Sequence, residues 1–379
     1  MPLDLHELLK LAVRRQASDL HLKVGVLPTV RIDHRLVPVE ELARVSRADM
    51  EAVIALVTTE RQRQQFADRH ELDLAYGVEG LGRFRANLYQ QRGTVGIAFR
   101  VVPLEVQTID GLNLPPIVGT LAMEPRGLVL VTGTAGSGKS TTLAAMIDHI
   151  NIHGTGHIVT IEDPIEFLHR DKRCLINQRE VGVDTGSFAD ALRSALRQDP
   201  NVILVGEMRD FETVSTAIVA AETGHLVMST LHTIDAAETI NRIISIFPPY
   251  QQKQLRLQLA SVVRGIISMR LIPRADGNSR VPAVEVMVST ATIRECILDP
   301  DKTRKIPEVI AAGGSEYGMR TFDQSLLALH QSGLVSYEEA LRWSSNPNDF
   351  ALRVRGVETA EDRPWTGERG RPAVGAERR

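Results

Sequence analysis

The feature that most restricts this chain is Gly133-Thr134-Ala135-Gly136-Ser137-Gly138-Lys139-Ser140, which fits the pattern G-x-x-x-x-G-K-[ST]. It follows an apolar run, Leu128–Val131, and precedes a stretch with helical spacing, Ser140–Ile152. Strand, glycine-rich turn and helix are the setting in which backbone N–H groups wrap a phosphate and the positive end of the helix adds to the attraction. A glycine-rich turn with no ligand is the bland alternative, but a chain of this length matches the pattern by chance only about once in a hundred. On the phosphate-binding reading the ligand is a nucleoside triphosphate. Lys139 reaches its β- and γ-phosphates, and the Ser140 hydroxyl ligates Mg²⁺.

The surrounding pattern agrees. Four short apolar runs, Leu128–Val131, Ile158–Ile161, Val202–Val205 and Leu226–Met228, alternate with helical stretches at Ser140–Ile152, Phe188–Arg197, Thr213–Glu222 and Ala236–Ile246. Continuous apolar strands alternating with helices predict an α/β domain with a mostly parallel sheet covered on both faces. Leu175–Val183 reads as an inserted hairpin, and Gln252–Met269 as one amphipathic helix. Val281–Val288 reads as a strand, with short helices at Ile293–Leu298, Ile306–Ala312 and Phe322–Ser332.

Each strand after the glycine-rich loop runs into an ionisable residue: Glu162 and Asp163, then Glu207 after Gly206, then His232 after Ser229-Thr230-Leu231. Parallel strands put all of these on the edge that carries the loop, where open α/β sheets bind ligands. Polar residues also mark strand ends for no functional reason. Their coincidence on one edge favours a site. Phosphoryl transfer to water needs a positioned attacking water, and Glu207 is the candidate to hold it. Gly206 stands where an acid usually precedes that residue. Mg²⁺ then draws on Ser140, phosphates and waters, with Glu162 or Glu207 behind them, which suits an ion that retains several waters. His232 is placed to contact the γ-phosphate. His225 has a weaker case, since a histidine beside an apolar strand is often a hydrogen-bonded wall residue.

The first hundred residues read as a smaller α+β domain. Leu5, Leu8, Leu9 and Ala12 have helical spacing, and Leu20, Leu22 and Val24 alternate as in a half-buried strand. Val30–Val39 gives a strand pair, Arg47–Phe66 an amphipathic helix, and Leu72–Ala75, Gly82–Tyr89 and Val95–Val102 further strands. The prolines of 103–116 mark a linker between this domain (1–102) and the second (117–355). The stretch 356–379, rich in Arg, Glu, Pro and Gly, reads as a disordered tail. Arg83, Arg85, Arg92 and Arg100 form a basic group in the first domain. Alternation puts Arg83 and Arg85 on one side of a strand. They are either a solvated face or a source of arginine fingers for a nucleotide on a neighbouring subunit.

With 379 residues, 43% hydrophobic and 24% charged, the chain has the composition of a globular protein of two or three domains. Its formal charge of -3 and the lack of a basic, aromatic-rich tract give no case for direct nucleic-acid binding. Only Cys174 and Cys296 are present, too few for a structural zinc module or a disulfide scaffold, so a cytoplasmic location is expected. The start, Met1–Glu7, lacks the pattern of a signal peptide, and no apolar run reaches the roughly 20 residues of a membrane span.

Together these motifs resemble the secretion ATPase superfamily, and most closely the type IV pilus retraction ATPase family (PilT-like). Ala17-Ser18-Asp19-Leu20-His21-Leu22 is similar to the N-terminal signature, and Arg83-Phe84-Arg85-Ala86-Asn87 with Gln91-Arg92 to the arginine-bearing strand. Gly133–Thr141 is the Walker A motif, which adds Thr141 to the nucleotide-binding residues. Thr160–Glu166 matches the Asp box, Leu204–Asp210 the atypical Walker B with its glycine, and Thr223–Thr233 the His box. The resemblance implies a PAS-like N-terminal domain followed by a RecA-like P-loop ATPase domain with a helical C-terminal region. It implies a cytoplasmic homohexamer with nucleotide sites between subunits. The hexamer docks peripherally on an inner-membrane pilus platform protein and withdraws pilin from the fibre base in twitching motility. It also makes Arg83, Arg85 and Arg100 nucleotide contacts in trans.

Assembly ATPases usually carry a tetracysteine module and a longer N-terminal region, and neither is present here, which favours retraction. One departure stands out. The family signature A-I-R-N-L-I-R-E corresponds here to Thr292-Ile293-Arg294-Glu295-Cys296-Ile297-Leu298-Asp299-Pro300, and Pro300 ends a helix early. Thr134-Ala135 also replaces the usual proline and threonine. Two alternatives to a self-sufficient retraction motor therefore stay open. One is an accessory paralogue that acts with a second retraction ATPase. The other is the motor of a related secretion or DNA-uptake machine.

Overall fold

The computed structural model describes residues 3–32, 35–103, 105–277 and 279–356. They form two compact units: the residues up to 105 with Glu166–His169, and Val106–Ile165 with the described residues from Arg170 onward.

The first unit runs α1 (Leu5–Arg14), β1 (Asp19–Lys23), β2 (Thr29–Ile32), β3 (Arg35–Pro38), α2 (Arg47–Val57), α3 (Glu60–Arg69), β4 (Glu71–Val78), β5 (Gly82–Gln91) and β6 (Thr94–Val101). Its strands form one sheet in the order β3-β2-β1-β6-β5-β4, antiparallel at each junction. Leu5, Leu8, Leu9 and Ala12 of α1 are buried with Leu20, Leu22, Phe84, Leu88 and Phe99 from the sheet. The helix expected over Arg47–Phe66 is two helices. Thr59 breaks it: its hydroxyl accepts from the Gln62 N–H, while the Gln62 side chain accepts from the Thr59 N–H. That reciprocal pair starts a new helix.

The second unit continues with α4 (Ile117–Ala122), β7 (Gly127–Thr132), α5 (Lys139–His153), β8 (His157–Glu162), β9 (Leu175–Glu180), α6 (Phe188–Ala195), β10 (Val202–Val205), α7 (Phe211–Glu222), β11 (Leu226–Leu231) and α8 (Ala236–Ser245). Then come α9 (Pro249–Val262), β12 (Val263–Pro273), β13 (Arg280–Val288), α10 (Ala291–Leu298), α11 (Ile306–Ala312), α12 (Gly314–Tyr317), α13 (Phe322–Gln331), α14 (Tyr337–Trp343) and α15 (Pro347–Val354). The sheet order is β13-β12-β7-β11-β10-β8-β9, parallel except for the β12–β13 hairpin. This is a mixed α/β, RecA-like arrangement.

Its central strands β7, β10 and β11 are buried along their whole length because both faces are covered. Leu128 and Leu130 of β7 enter one core, with α7, α8 and α9. Val129 and Val131 enter the other, with α4 and α5. A smaller core joins Ile272, Val281 and Ala283 of the hairpin to Phe322, Leu326 and Phe350 of the C-terminal helices.

Two expectations are corrected here. Leu175–Val183 is no hairpin: β9 pairs parallel with β8 and extends the sheet. The helix expected over Gln252–Met269 stops at Val262, and the chain passes directly into β12. Val263, Ile266 and Ile267 are β-branched and supply a strand buried on both faces. Of the stretch 103–116, residues from Val106 on pack with the second unit, where Ile109 and Leu114 are buried. Helix α10 ends at Leu298, with Asp299 already extended before Pro300. The expected tail lies outside the described residues apart from Gly356.

Candidate active site

The site is built on the carboxyl edge of the second sheet. β7 ends at Thr132 and the glycine-rich loop begins. Gly133 has φ +142°, and a Cβ there would lie 2.5 Å from Ser137 Oγ and 2.6 Å from the Met269 carbonyl oxygen, so only glycine fits. Gly138, at φ +97°, turns the chain into α5. No side chain caps α5, so the N–H groups of its first turn stay available to an anion. Ser140 and Thr141 are half-buried in that turn. Thr134, Ala135 and Gly136 form the exposed crest, while Ser137 and Lys139 are buried. Lys139 Nζ donates to the carbonyl oxygens of Gly133 and Thr134, both at 2.8 Å. Ser137 Oγ is buried with no hydrogen-bond partner among the described residues. An inward-turned loop, an uncapped helix start and an orphaned buried hydroxyl together fit a phosphate chain.

The neighbouring strands bring acid and histidine alongside. The β7–β11 register pairs Thr132 with Leu231, so His232 emerges next to the loop. β10 lies beside β11, and Gly206 extends it: its N–H donates to the Ile161 carbonyl at 2.7 Å, and its carbonyl accepts from Thr230 Oγ1 at 2.6 Å. Glu207 follows, with Oε2 3.7 Å from His232 Nε2 and Oε1 2.6 Å from Arg209 Nε. Burial and the Lys139 ammonium hold the His232 pKa below the ordinary histidine value, against the opposing pull of Glu207. The imidazole is therefore neutral at pH 7 and can donate from one nitrogen while accepting at the other. Lys139, His232 and Glu207 form one electrostatic cluster. Glu207, Arg209, Thr230, His232 and Arg242 line a cavity of about 420 Å³ beside it.

The chain matches the family model "Type II/IV secretion system protein" over residues 113–326. It is 44% identical over 348 residues to the type IV pilus retractation ATPase PilT of Pseudomonas aeruginosa, covering 92% of this chain and 100% of that protein. The type IV pilus ATPase PilU of the same organism is 39% identical over 361 residues, covering 95% and 94%. A crystal structure of the pilus retraction motor PilT with bound ADP superposes with a TM-score of 0.83 at 46% identity, covering 92% and 98% of the two chains. The chain belongs to the PilT-like retraction ATPases of this family.

Of the remaining motifs of this PilT-like chain, the Asp box lies on the same sheet edge and the others fall elsewhere. Glu162 ends β8, next to β10, and its Oε1 accepts from Thr160 Oγ1 at 2.6 Å and Gln178 Nε2 at 3.1 Å. His225 precedes β11, at the opposite edge from the loop, and its Nδ1 meets the Ala220 carbonyl at 3.0 Å. It is a wall residue. Arg83, Arg85 and Arg100 belong to the first unit. Arg85 and Arg100 are cross-strand neighbours on β5 and β6, and Arg100 pairs with Asp19 at 3.0 Å. Arg92 sits in the β5–β6 turn at φ +48°.

Sequence reasoning did not single out Arg209, which pairs with Glu207, or Arg242 across the cavity. Arg209 lies within the Walker B stretch, where a base next to the candidate acid was a readable signal. Arg242 carried none, because it reaches the cavity only once α8 folds back from the His box.

Proposed function

We propose that this chain hydrolyses ATP to power type IV pilus retraction. The observation that carries the reading is the cluster of Lys139, His232 and Glu207 on the edge that holds the glycine-rich loop. The loop N–H groups and Lys139 bind and neutralise the phosphates. Glu207 orients the attacking water toward the γ-phosphorus and takes up its proton as the bond forms. Neutral His232, with Nε2 facing Glu207 at 3.7 Å, presents its other edge to the γ-phosphate or the water. The Ser140 hydroxyl would hold Mg²⁺, whose charge offsets that of the phosphates. Arg83, Arg85 and Arg100 would come from the neighbouring subunit of a homohexamer, completing each site in trans. The ring would sit in the cytoplasm against an inner-membrane platform protein. Among the described residues no helix is long and apolar enough to cross a membrane, so attachment would be peripheral.

The variant Glu207→Gln tests the assignment. Nucleotide affinity should be kept, while kcat falls about 10²- to 10⁴-fold, the usual contribution of a positioned general base. Near-normal turnover in that variant would overturn the role of Glu207.

The early end of α10 favours a second reading. The helix stops at Leu298 within the segment that departs from the family signature. A chain altered there would act as an accessory motor beside a paralogous retraction ATPase. Hydrolysis that appears only on mixing with such a paralogue would select this reading. Turnover by the chain alone would reject it.

A further inference from the structure

Thr132, Ser268 and Glu285 occupy one row across three adjacent strands. β7 pairs Thr132 with Ser268, and β12 pairs Ser268 with Glu285. All three are buried, Glu285 at 5% exposure. Thr132 Oγ1 donates to Ser268 Oγ at 3.0 Å, and Ser268, the cross-strand partner of Glu285, favours its ionised carboxyl. Glu285 Oε1 accepts from the Ala236 N–H at 2.9 Å. Ala236 opens α8, so its N–H is one of the donors the helix cannot satisfy itself. Both ends of this row touch the catalytic edge. Thr132 is followed by Gly133 of the phosphate loop. Ala236 closes the short turn after β11 that carries His232.

A carboxyl group on a strand covered on both faces is rare and costly. The charged groups that face it are Asp235 from the start of α8 and Arg270 from β12. Arg270 is itself engaged elsewhere, over the Phe322 ring at 3.8 Å and to the Trp343 carbonyl at 2.9 Å.

We propose that Glu285 is a positioning residue for hydrolysis, whose carboxylate ties the His232 turn to the base of the phosphate loop through Ala236 on one side and Ser268 and Thr132 on the other. The ionised group, with two charged oxygens, is the stronger acceptor for both partners. Protonation removes the charge and turns one acceptor oxygen into a hydroxyl, which weakens the row. Burial, helped by Asp235, raises the Glu285 pKa to about 7, with the Ala236 N–H, Arg270 and Ser268 pulling the other way. The tie therefore tightens as the pH rises through neutrality.

This inference rests on the hydrolytic reading. The experiment compares wild type and Glu285→Gln for kcat and KM between pH 6 and 8.5. At pH 8 the variant should lose about tenfold in kcat with KM within about threefold, the pattern of a defect confined to the transition state. Its kcat should also lose the rise through neutrality that the wild type shows. Should the variant fail to fold, Ser268→Ala, which cuts the row in the middle, should show the same loss. A wild-type kcat and pH profile in whichever variant folds would overturn the proposal. A second readout needs no turnover: deuterium uptake across Leu231–Ala237 at pH 8 should rise in the variant. Unchanged uptake there would overturn the tie. Absence of turnover in the wild type would instead count against the hydrolytic reading.

Discussion

Glu285 shows how a single residue can set activity against stability. Its folded-state pKa is raised from the usual carboxyl value to about 7 by burial first and Asp235 second. Folding therefore favours the protonated group. That contribution to stability is complete below the unfolded pKa of about 4.5 and is lost as pH rises through about 7. Glu285→Gln, which cannot ionise, should then raise the unfolding midpoint relative to wild type at pH 8 and leave it nearly unchanged at pH 5. A denaturation series at both values checks this, and equal shifts at the two would refute it. The ionised form proposed to assist turnover is thus the form that the fold tolerates least. Trade-offs of this sign are common where a site holds strained or desolvated groups.

At the scale of elements, helix starts organise the site. α5 has no side-chain cap where the phosphates would lie, whereas α7 and α8 are capped by Asp210 and Asp235. Asp210 accepts from the Thr213 N–H at 2.9 Å and from its hydroxyl at 2.7 Å, immediately after the Walker B strand. Asp210→Ala should cost about 1 kcal/mol of stability, the ordinary loss for a helix cap. Chemical denaturation measures it, and a loss below about 0.3 kcal/mol would mean the cap contributes nothing of its own.

The elements also show what the sequence disclosed. The strands β7, β8, β10 and β11 were legible because each is a continuous apolar run, the mark of a strand covered on both faces. β12 was hidden because Val262–Met269 continues the apolar pattern of the helix before it, and periodicity does not separate a buried helix from a buried strand. The α2–α3 break was readable in Thr59 and Gln62 as a capping pair, but the apolar spacing on either side masked it. The phosphate loop was legible because its chemistry lies within eight consecutive residues, Gly133–Ser140. Glu207 and His232 were legible because they end strands. The row Thr132–Ser268–Glu285 was not, because strand register assembles it from distant segments. A lone acid inside Val284–Val286 was the one available hint.

For the molecule as a whole, the proposed trans arginines make a sharp prediction. Lys139→Ala should lose nucleotide binding, and a triple Arg83, Arg85 and Arg100 to Ala variant should bind but not turn over. Mixed together, the two should recover part of the wild-type rate, because some interfaces would pair an intact loop with intact arginines. ATPase assays across mixing ratios test it. Activity that never exceeds the sum of the separate variants would place the complete site within one subunit.

The β12–β13 hairpin has a mechanical consequence. β12 lies parallel to the phosphate-loop strand, and the C-terminal helices α13 and α15 pack on the hairpin. A load applied to those helices along the strand direction would reach the nucleotide loop as shear. Shear engages the unbroken rung series between Gly265 and Ser268 at once, whereas peeling would open it bond by bond. The hairpin is therefore a stiff coupling, and force at the C-terminal helices and strain at the Gly133 turn are carried by the same backbone ladder.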